Sequence, residues 1–268
     1  VTQLPRGGYL VNTPVGYIQF GAPPETIKDT MSLPRSVPQI FVLPRKLFHR
    51  QKGISIAELE FPVYFNFFIK KRKTIIVSDQ KQSGRLVRTL KQSVFGPTHV
   101  SVKQDIHPNS EISPFDIKRE MDYFKGKLQL EDLFGFAFFN KRKYTIGTVT
   151  ILINDKEDYE VYVDKKKLAQ IPGTIEYKPK YNIGARLSEP YHPPLFGVTC
   201  LGPSHGFDPE ENTSGFIIWL NHSGIMVDPP VDSTEWLKDS NVNPKLIDSI
   251  ILTHCHADHD AGTFQKIM

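Results

Sequence analysis

Two cysteines, Cys200 and Cys255, are all that the 268 residues hold. A disulfide framework is thereby excluded, and a reducing, cytoplasmic setting is expected. No apolar run approaches the roughly 18 residues of a membrane helix, so no membrane is expected as partner. The N-terminus, "VTQLPRGGYL", has neither a secretory pattern nor an initiating methionine. The other end, "AGTFQKIM", stops inside what reads as a helix. The chain is therefore expected to be a piece of a longer polypeptide. Charge of one sign is scarce as well: 33 basic residues face 29 acidic ones, a formal charge of +4. That makes no strong case for nucleic acid, although a pI near 8.9 would not repel a phosphate-bearing substrate.

Apolar material is present in quantity, at 39% hydrophobic residues, enough for a packed core. "YLVNTPVGYIQFG" (Tyr9–Gly21) reads as a hairpin, and "PPETIKDTM" as the start of a short helix. "VPQIFVLP" and "KTIIVSD" read as strands, and "SGRLVRTLKQSVFG" as a helix. Between them "FPVYFNFFI" (Phe61–Ile69) is an aromatic segment expected to pack in the core. After a loop with Pro108 and Pro114, "LFGFAFFN", "YTIGTVTILIN" and "YEVYVD" read as further strands. Four prolines in Ile175–Gly197 mark a linker. Beyond it come a strand "FGVTCLG", a polar loop "PSHGFDPEENTS", two strands in "GFIIWLNHSGIMVD", a short helix "STEWLKDSN" and a strand "LIDSIILT". The expected organisation is a β-rich α/β domain over 1–190 and a second domain over 191–268, in a mixed α+β class.

A weak internal repeat links the two parts. Each contains a hairpin, a Pro-Pro pair, a short helix, an apolar strand and a Gly-terminated turn. In the first copy Pro44, Lys46 and Phe48 fall about where His254, His256 and Asp258 stand in the second, the copies differing by about one residue. Only His49 keeps a ligand type. The N-terminal part would then be a copy that has lost its metal site, the alternative being a chance likeness of two α/β segments.

The densest chemistry is "THCHADHDAG" (Thr253–Gly262), which packs three histidines and two aspartates into seven residues after an apolar run. Side chains alternate along a strand, so His254 and His256 project the same way at its C-terminal end. Asp258 and His259 then lie in the turn that enters the final helix. Strand ends of this kind line the crevice where α/β folds bind ligands. Imidazoles and a carboxylate suit zinc, with iron or manganese as alternatives. The spacing supplies two adjacent clusters, suited to two metals about 3.5–4 Å apart. Cys255, alternating with the ligands, should point away as a buried thiol, and Asp260 should serve the helix start.

This motif resembles the signature of the metallo-β-lactamase superfamily, Thr-His-x-His-x-Asp-His-x-x-Gly. The upstream order, with "NTSGF" and a strand ending at "MVDPP", is similar to that family over about Leu195–Met268. The resemblance implies that this part is the first half of an αββα sandwich. It implies His254 and His256 as ligands of one metal, and Asp258 and His259 as ligands of a second, with Asp258 orienting the attacking water. Asp228 would support them without ligating. A metal-dependent hydrolase using a metal-bound hydroxide is the implied activity. The "GPSHGFDPEENTSGF" loop is similar to those of the tRNA-processing and cyclic-phosphodiesterase branches, which favours a phosphodiester, nucleotide or RNA, over other small molecules. A duplicated chain with a degenerate first half is also similar to the long tRNA 3′-end endonucleases.

The family's remaining ligands lie downstream of the motif, where this chain supplies none. The other histidines (His49, His99, His107, His192, His205 and His222) are all upstream, in an order that does not fit. By itself the fragment is expected to be inactive, and a homodimer is expected as one way to cover the missing half. The rival reading is a non-catalytic binding or regulatory module with a structural or vestigial metal motif, and a third is an iron-binding redox member of the same superfamily. His205 and the runs "KKRK", "KRK" and "KKK" are expected to be solvated loop and edge residues.

Overall fold

In the computed structural model, described over residues 1–96, 106–111, 116, 119, 122, 128–179 and 188–268, the expected mixed α+β class is found. His99 and Pro114 lie outside the described residues. The first sheet begins with β1 (Thr2–Gln3), β2 (Tyr9–Thr13) and β3 (Gly16–Phe20), the last two forming the hairpin expected from their sequence. Helix α1 (Thr26–Thr30) crosses to β4 (Ile40–Val42), which pairs parallel with β3. A small ribbon of β5 (Phe48–His49) and β6 (Ile54–Ser55) follows. Next come α2 (Glu60–Tyr64), β7 (Thr74–Ser78), α3 (Ser83–Phe95), α4 (Leu130–Leu133) and β8 (Phe134–Phe138). The six strands lie in the order β1-β2-β3-β4-β7-β8. "IFV" of β4 is buried at every position because both faces of this sheet are covered.

One cover is a four-stranded antiparallel sheet of β9 (Lys143–Ile146), β10 (Val149–Ile153), β11 (Tyr159–Val163) and β12 (Lys166–Ile171). Ile18, Phe20, Val42 and Val77 meet Ile151 and Val161 between the two sheets. The opposite face packs Phe41 and Ile76 against Ile27, Leu59 and Leu86 of the helical side.

Three local expectations need correction. "YTIGTVTILIN" is two strands, because Gly147 at φ 54 turns the chain back on itself. "FPVYFNFFI" is helical, with Pro62 in the first turn of α2, where proline is tolerated. It continues as a wider π-turn over Phe65–Ile69, so Phe68 and Ile69 face solvent while Asn66 is buried. The linker is not wholly a linker: Ile175 and Tyr177 belong to the first core, and 180–187 lies outside the described residues.

The last sheet has β13 (Phe196–Gly202), β14 (Gly215–Leu220), β15 (Ser223–Val227) and β16 (Ile247–Ile251) side by side. β14 and β15 are joined by Asn221 and His222 at φ 48 and 66, the left-handed pair a tight hairpin requires. Helix α5 (Ser233–Asp239) carries the chain to β16, parallel to β15. One face is a core around Ile217, Trp219, Met226 and Leu237. On the other face Phe196, Val198, Leu220 and Ile251 are exposed, and none of the described residues among the first 190 covers them.

The two parts share a local backbone register. Phe20 pairs with Val42, and Val227 with Ile251, in matching parallel ladders. Gly21 N then donates to Val42 O at 2.9 Å, and Asp228 N to Ile251 O at 3.0 Å. Both helices start from a left-handed residue, Glu25 at φ 60 and Asp232 at φ 66. Gly21 therefore stands where Asp228 does. Counted on residue by residue from Val42 and Ile251, His254, His256 and Asp258 fall against Arg45, Leu47 and His49, one beyond Pro44, Lys46 and Phe48, although His49 lies in a strand and Asp258 in a helix.

Candidate metal centre

The motif begins where β16 ends. Its residues run extended to His256, then enter α6 (Ala257–Asp260) and α7 (Thr263–Ile267). Gly262 sits against the chain at Pro229 and Pro230, where an added Cβ would lie 2.1 Å from Pro230 O. Its N donates to Pro229 O at 3.0 Å, which fixes the far end of the motif to the strand-end loop that carries Asp228.

The three histidines converge. His254 Nε2 lies 3.0 Å from His256 Nδ1, and the His254 and His259 rings are 4.2 Å apart between centroids. His259 Nε2 lies 3.7 Å from Asp258 Oδ2. These are two ligand pairs side by side. Among the described residues no group of three or more His, Cys, Asp or Glu side chains is arranged to hold a metal ion.

The outward-turned nitrogens decide whether the set fits a metal. A ligating imidazole holds its other nitrogen against an oxygen, which fixes its tautomer and orientation. His254 Nδ1 is 3.0 Å from Thr253 Oγ1, and His259 Nδ1 is 3.0 Å from Asp228 Oδ2. His256 Nε2 is 3.7 Å from Glu60 Oε1. His254 and His259 thus have an oxygen within hydrogen-bond reach behind the ring, while His256 stands 3.7 Å from its carboxylate; three imidazoles and the Asp258 carboxylate are donors of the kind that suit a divalent metal.

Asp228 is the hub of this support. It is 6% exposed and sits at φ 45 just past β15. Its Oδ1 accepts from Thr253 N at 2.8 Å and its Oδ2 from Thr253 Oγ1 at 2.6 Å. Burial pushes its pKa up but is outweighed by the hydrogen bonds from Thr253 and His259, so the carboxyl lies below the usual range.

Three carboxyls gather on the other flank. Burial raises the pKa of Glu60 and Asp260, and pushes Glu58 up to about 8. They line a cavity of about 400 Å³ between α2, α3 and the motif, with Cys255, Leu59, Val63 and Phe264 in its wall. Cys255 lines this cavity, and it is exposed rather than buried as expected. His205 is exposed, and its Nδ1 accepts from Phe207 N within its own loop, as a solvated loop residue would.

Asp228, His254, His256, Asp258 and His259, singled out in the sequence, are brought together. Glu60 and Thr253 were missed. Thr253 lies inside the quoted motif and could have been found there, whereas Glu60 carries no signal, being 197 residues away from the amide it caps.

Residues 196–266 match the family described as anti-Pycsar protein Apyc1. Over 100% of its length the chain is 28% identical to the cGMP-dependent 3′,5′-cGMP phosphodiesterase A of Dictyostelium discoideum, covering 46% of that protein. Over 94% of its length it is 31% identical to the cAMP/cGMP-dependent 3′,5′-cAMP/cGMP phosphodiesterase B of the same organism, covering 28% of it. No solved structure matches. The chain is thus similar to named phosphodiesterases throughout, and spans less than half the length of these curated relatives.

Proposed function

We propose that this chain carries the metal-binding end of a metallo-β-lactamase-like phosphodiester hydrolase whose substrate is a 3′,5′-cyclic nucleotide. The observation that carries this reading is the approach of His254 Nε2 to His256 Nδ1 at 3.0 Å, with the His254 ring held from behind by Thr253 Oγ1. The names of the two relatives support the substrate class. In this reading His254 and His256 hold one ion and Asp258 and His259 a second, zinc suiting the nitrogen-rich set, with iron or manganese as alternatives. Residues 1–190 are a copy of the fold that has lost its ligands, and 191–268 begin the metal-bearing copy. The matched positions of Gly21 and Asp228 support that division.

Bound there, divalent ions supply charge stabilisation to the phosphoryl oxygens and lower the pKa of water to about 7. The chain's own groups supply geometry. Thr253 and Asp228 hold the His254 and His259 imidazoles from behind, which limits reorganisation as charge develops. Asp258 Oδ2 accepts a proton of the attacking water and aims its lone pair at phosphorus. The hydroxyl joins phosphorus as one ester P–O bond breaks, and the proton taken up by Asp258 passes to the departing ribose oxygen.

The test is metal content by plasma mass spectrometry together with hydrolysis of cAMP and cGMP, on the full-length protein. Metal and hydrolysis are expected in the wild type, and both should be lost when His254→Ala and His256→Ala are combined. A metal-free wild type, or hydrolysis untouched by the double substitution, would overturn the reading in favour of a binding module.

A further inference from the structure

Glu60 belongs to the first half of the chain, yet it sits on the motif of the second. Its Oε2 accepts from Ala257 N at 3.0 Å, at the start of α6, and its Oε1 faces His256 Nε2 at 3.7 Å. The carboxylate therefore grips the peptide just after His256 and stands behind the ring of His256 at once. It is not a floppy surface side chain, being 17% exposed.

Its position is set by main chain. Ala22, just past β3, donates to Ile56 O at 2.7 Å and accepts from Glu58 N at 2.8 Å. Glu60 N then donates to Glu58 Oε1 at 2.9 Å, which closes the turn into α2. The segment carrying Glu60 is thus tied to the strand end of the first half that corresponds to the Asp228 position of the second. Phe61, next in line, meets Phe207 edge-on at 4.8 Å, which locks the same helix start to the second half.

We infer that Glu60 is a positioning residue for the metal centre, orienting His256 as Asp228 orients His259, so that the centre is assembled from both halves. The inference rests on the metal reading above. It gives the first half a task inside the site itself: holding the second ring of the His-x-His pair from behind. Outer partners of this kind contribute about 10–100-fold to metal affinity. At 3.7 Å the contact exceeds a direct hydrogen bond, and it has room to shorten when Nδ1 of the same ring takes a metal.

The experiment compares wild type, Glu60→Ala and Glu60→Gln in the full-length protein, using Co²⁺ as the probe. Visible absorption gives affinity and ligand-field bands. In metal-free protein, ring ¹⁵N NMR of His256, assigned by its loss in His256→Ala, gives the tautomer. Glu60→Ala is expected to weaken Co²⁺ binding at least tenfold, shift the bands, and release His256 from the Nε2–H tautomer. Glu60→Gln, which keeps an oxygen acceptor, is expected to recover part of each and serves if the alanine variant does not fold. Unchanged affinity, or the same His256 ring signals with and without the carboxylate, would overturn the inference. A wild type that takes up no Co²⁺ would defeat the metal reading instead, and the metal-free ring signals would still decide whether Glu60 orients His256.

Discussion

Glu58 is where burial and charge conflict most openly. Its Oε2 is sealed from solvent without a hydrogen-bond partner, and burial, with Glu60 nearby, pushes its pKa from 4.5 to about 8. The folded protein keeps a proton there that the unfolded chain releases near pH 4.5. Below that pH both states are protonated and the folded state suffers no penalty. As pH rises from 4.5 towards about 8 the unfolded state binds fewer protons than the folded one, so stability falls. At about 1.4 kcal/mol per pH unit of displacement, the expected loss is a few kcal/mol. Urea midpoints at acidic and alkaline pH check this: the difference should shrink in Glu58→Gln, which keeps the shape of the neutral acid. An undiminished difference would place the effect elsewhere. Glu58 and Glu60 show what sequence hides at this scale. The histidines were legible because a strand end and a helix start put them within seven residues of one another. The Glu60 carboxylate beside His256 comes from a segment nearly two hundred positions earlier, and no local pattern connects the two.

Hairpins and crossovers were the most legible elements, since the chemistry of a turn is local. The Tyr9–Gly21 hairpin, α1, β4 and the second strand–helix–strand unit follow their sequence cues. Where a turn lacks its customary residues, the reading failed: Asp164 and Lys165, at φ 46 and 67, make a left-handed turn before β12 with no glycine to announce it. A β-carbon in that conformation costs about 1 kcal/mol, and Asp-Gly is a favoured pair for such a turn. Lys165→Gly is therefore expected to raise the unfolding free energy by about 0.5–1 kcal/mol, measured by urea titration. No gain would mean that the Lys165 side chain compensates the strain. The repeat shows the complementary limit. Its element order could be read from sequence, but its register could not, because the loops between the paired strands carry no period. Only the ladders of β3–β4 and β15–β16 place Arg45 opposite His254 and His49 opposite Asp258.

The whole molecule is held as two halves with a common seam. Lys28 Nζ donates to Glu211 O at 2.7 Å, Tyr177 Oη to Asp232 Oδ2 at 2.5 Å, and Phe61 packs on Phe207. None of these long-range contacts was legible, because the prolines after Ile175 suggested a linker while its first residues are core. Gly206 tests how tightly the seam is shut. An added Cβ there would stand 2.5 Å from Cζ of Phe61, a ring only 8% exposed and pinned by Phe207. Gly206→Ala is expected to destabilise by about 1–3 kcal/mol, the usual cost of overpacking. Both tryptophans, Trp219 and Trp236, lie in the second half, so their fluorescence follows that half, whereas far-UV circular dichroism follows all three large sheets. If the seam makes one cooperative unit, the two signals should shift to lower urea together in Gly206→Ala. A shift confined to one probe would mean that the halves unfold separately. Glu60 could then leave the motif without unfolding it, and the metal centre would be only as rigid as the contact between the halves.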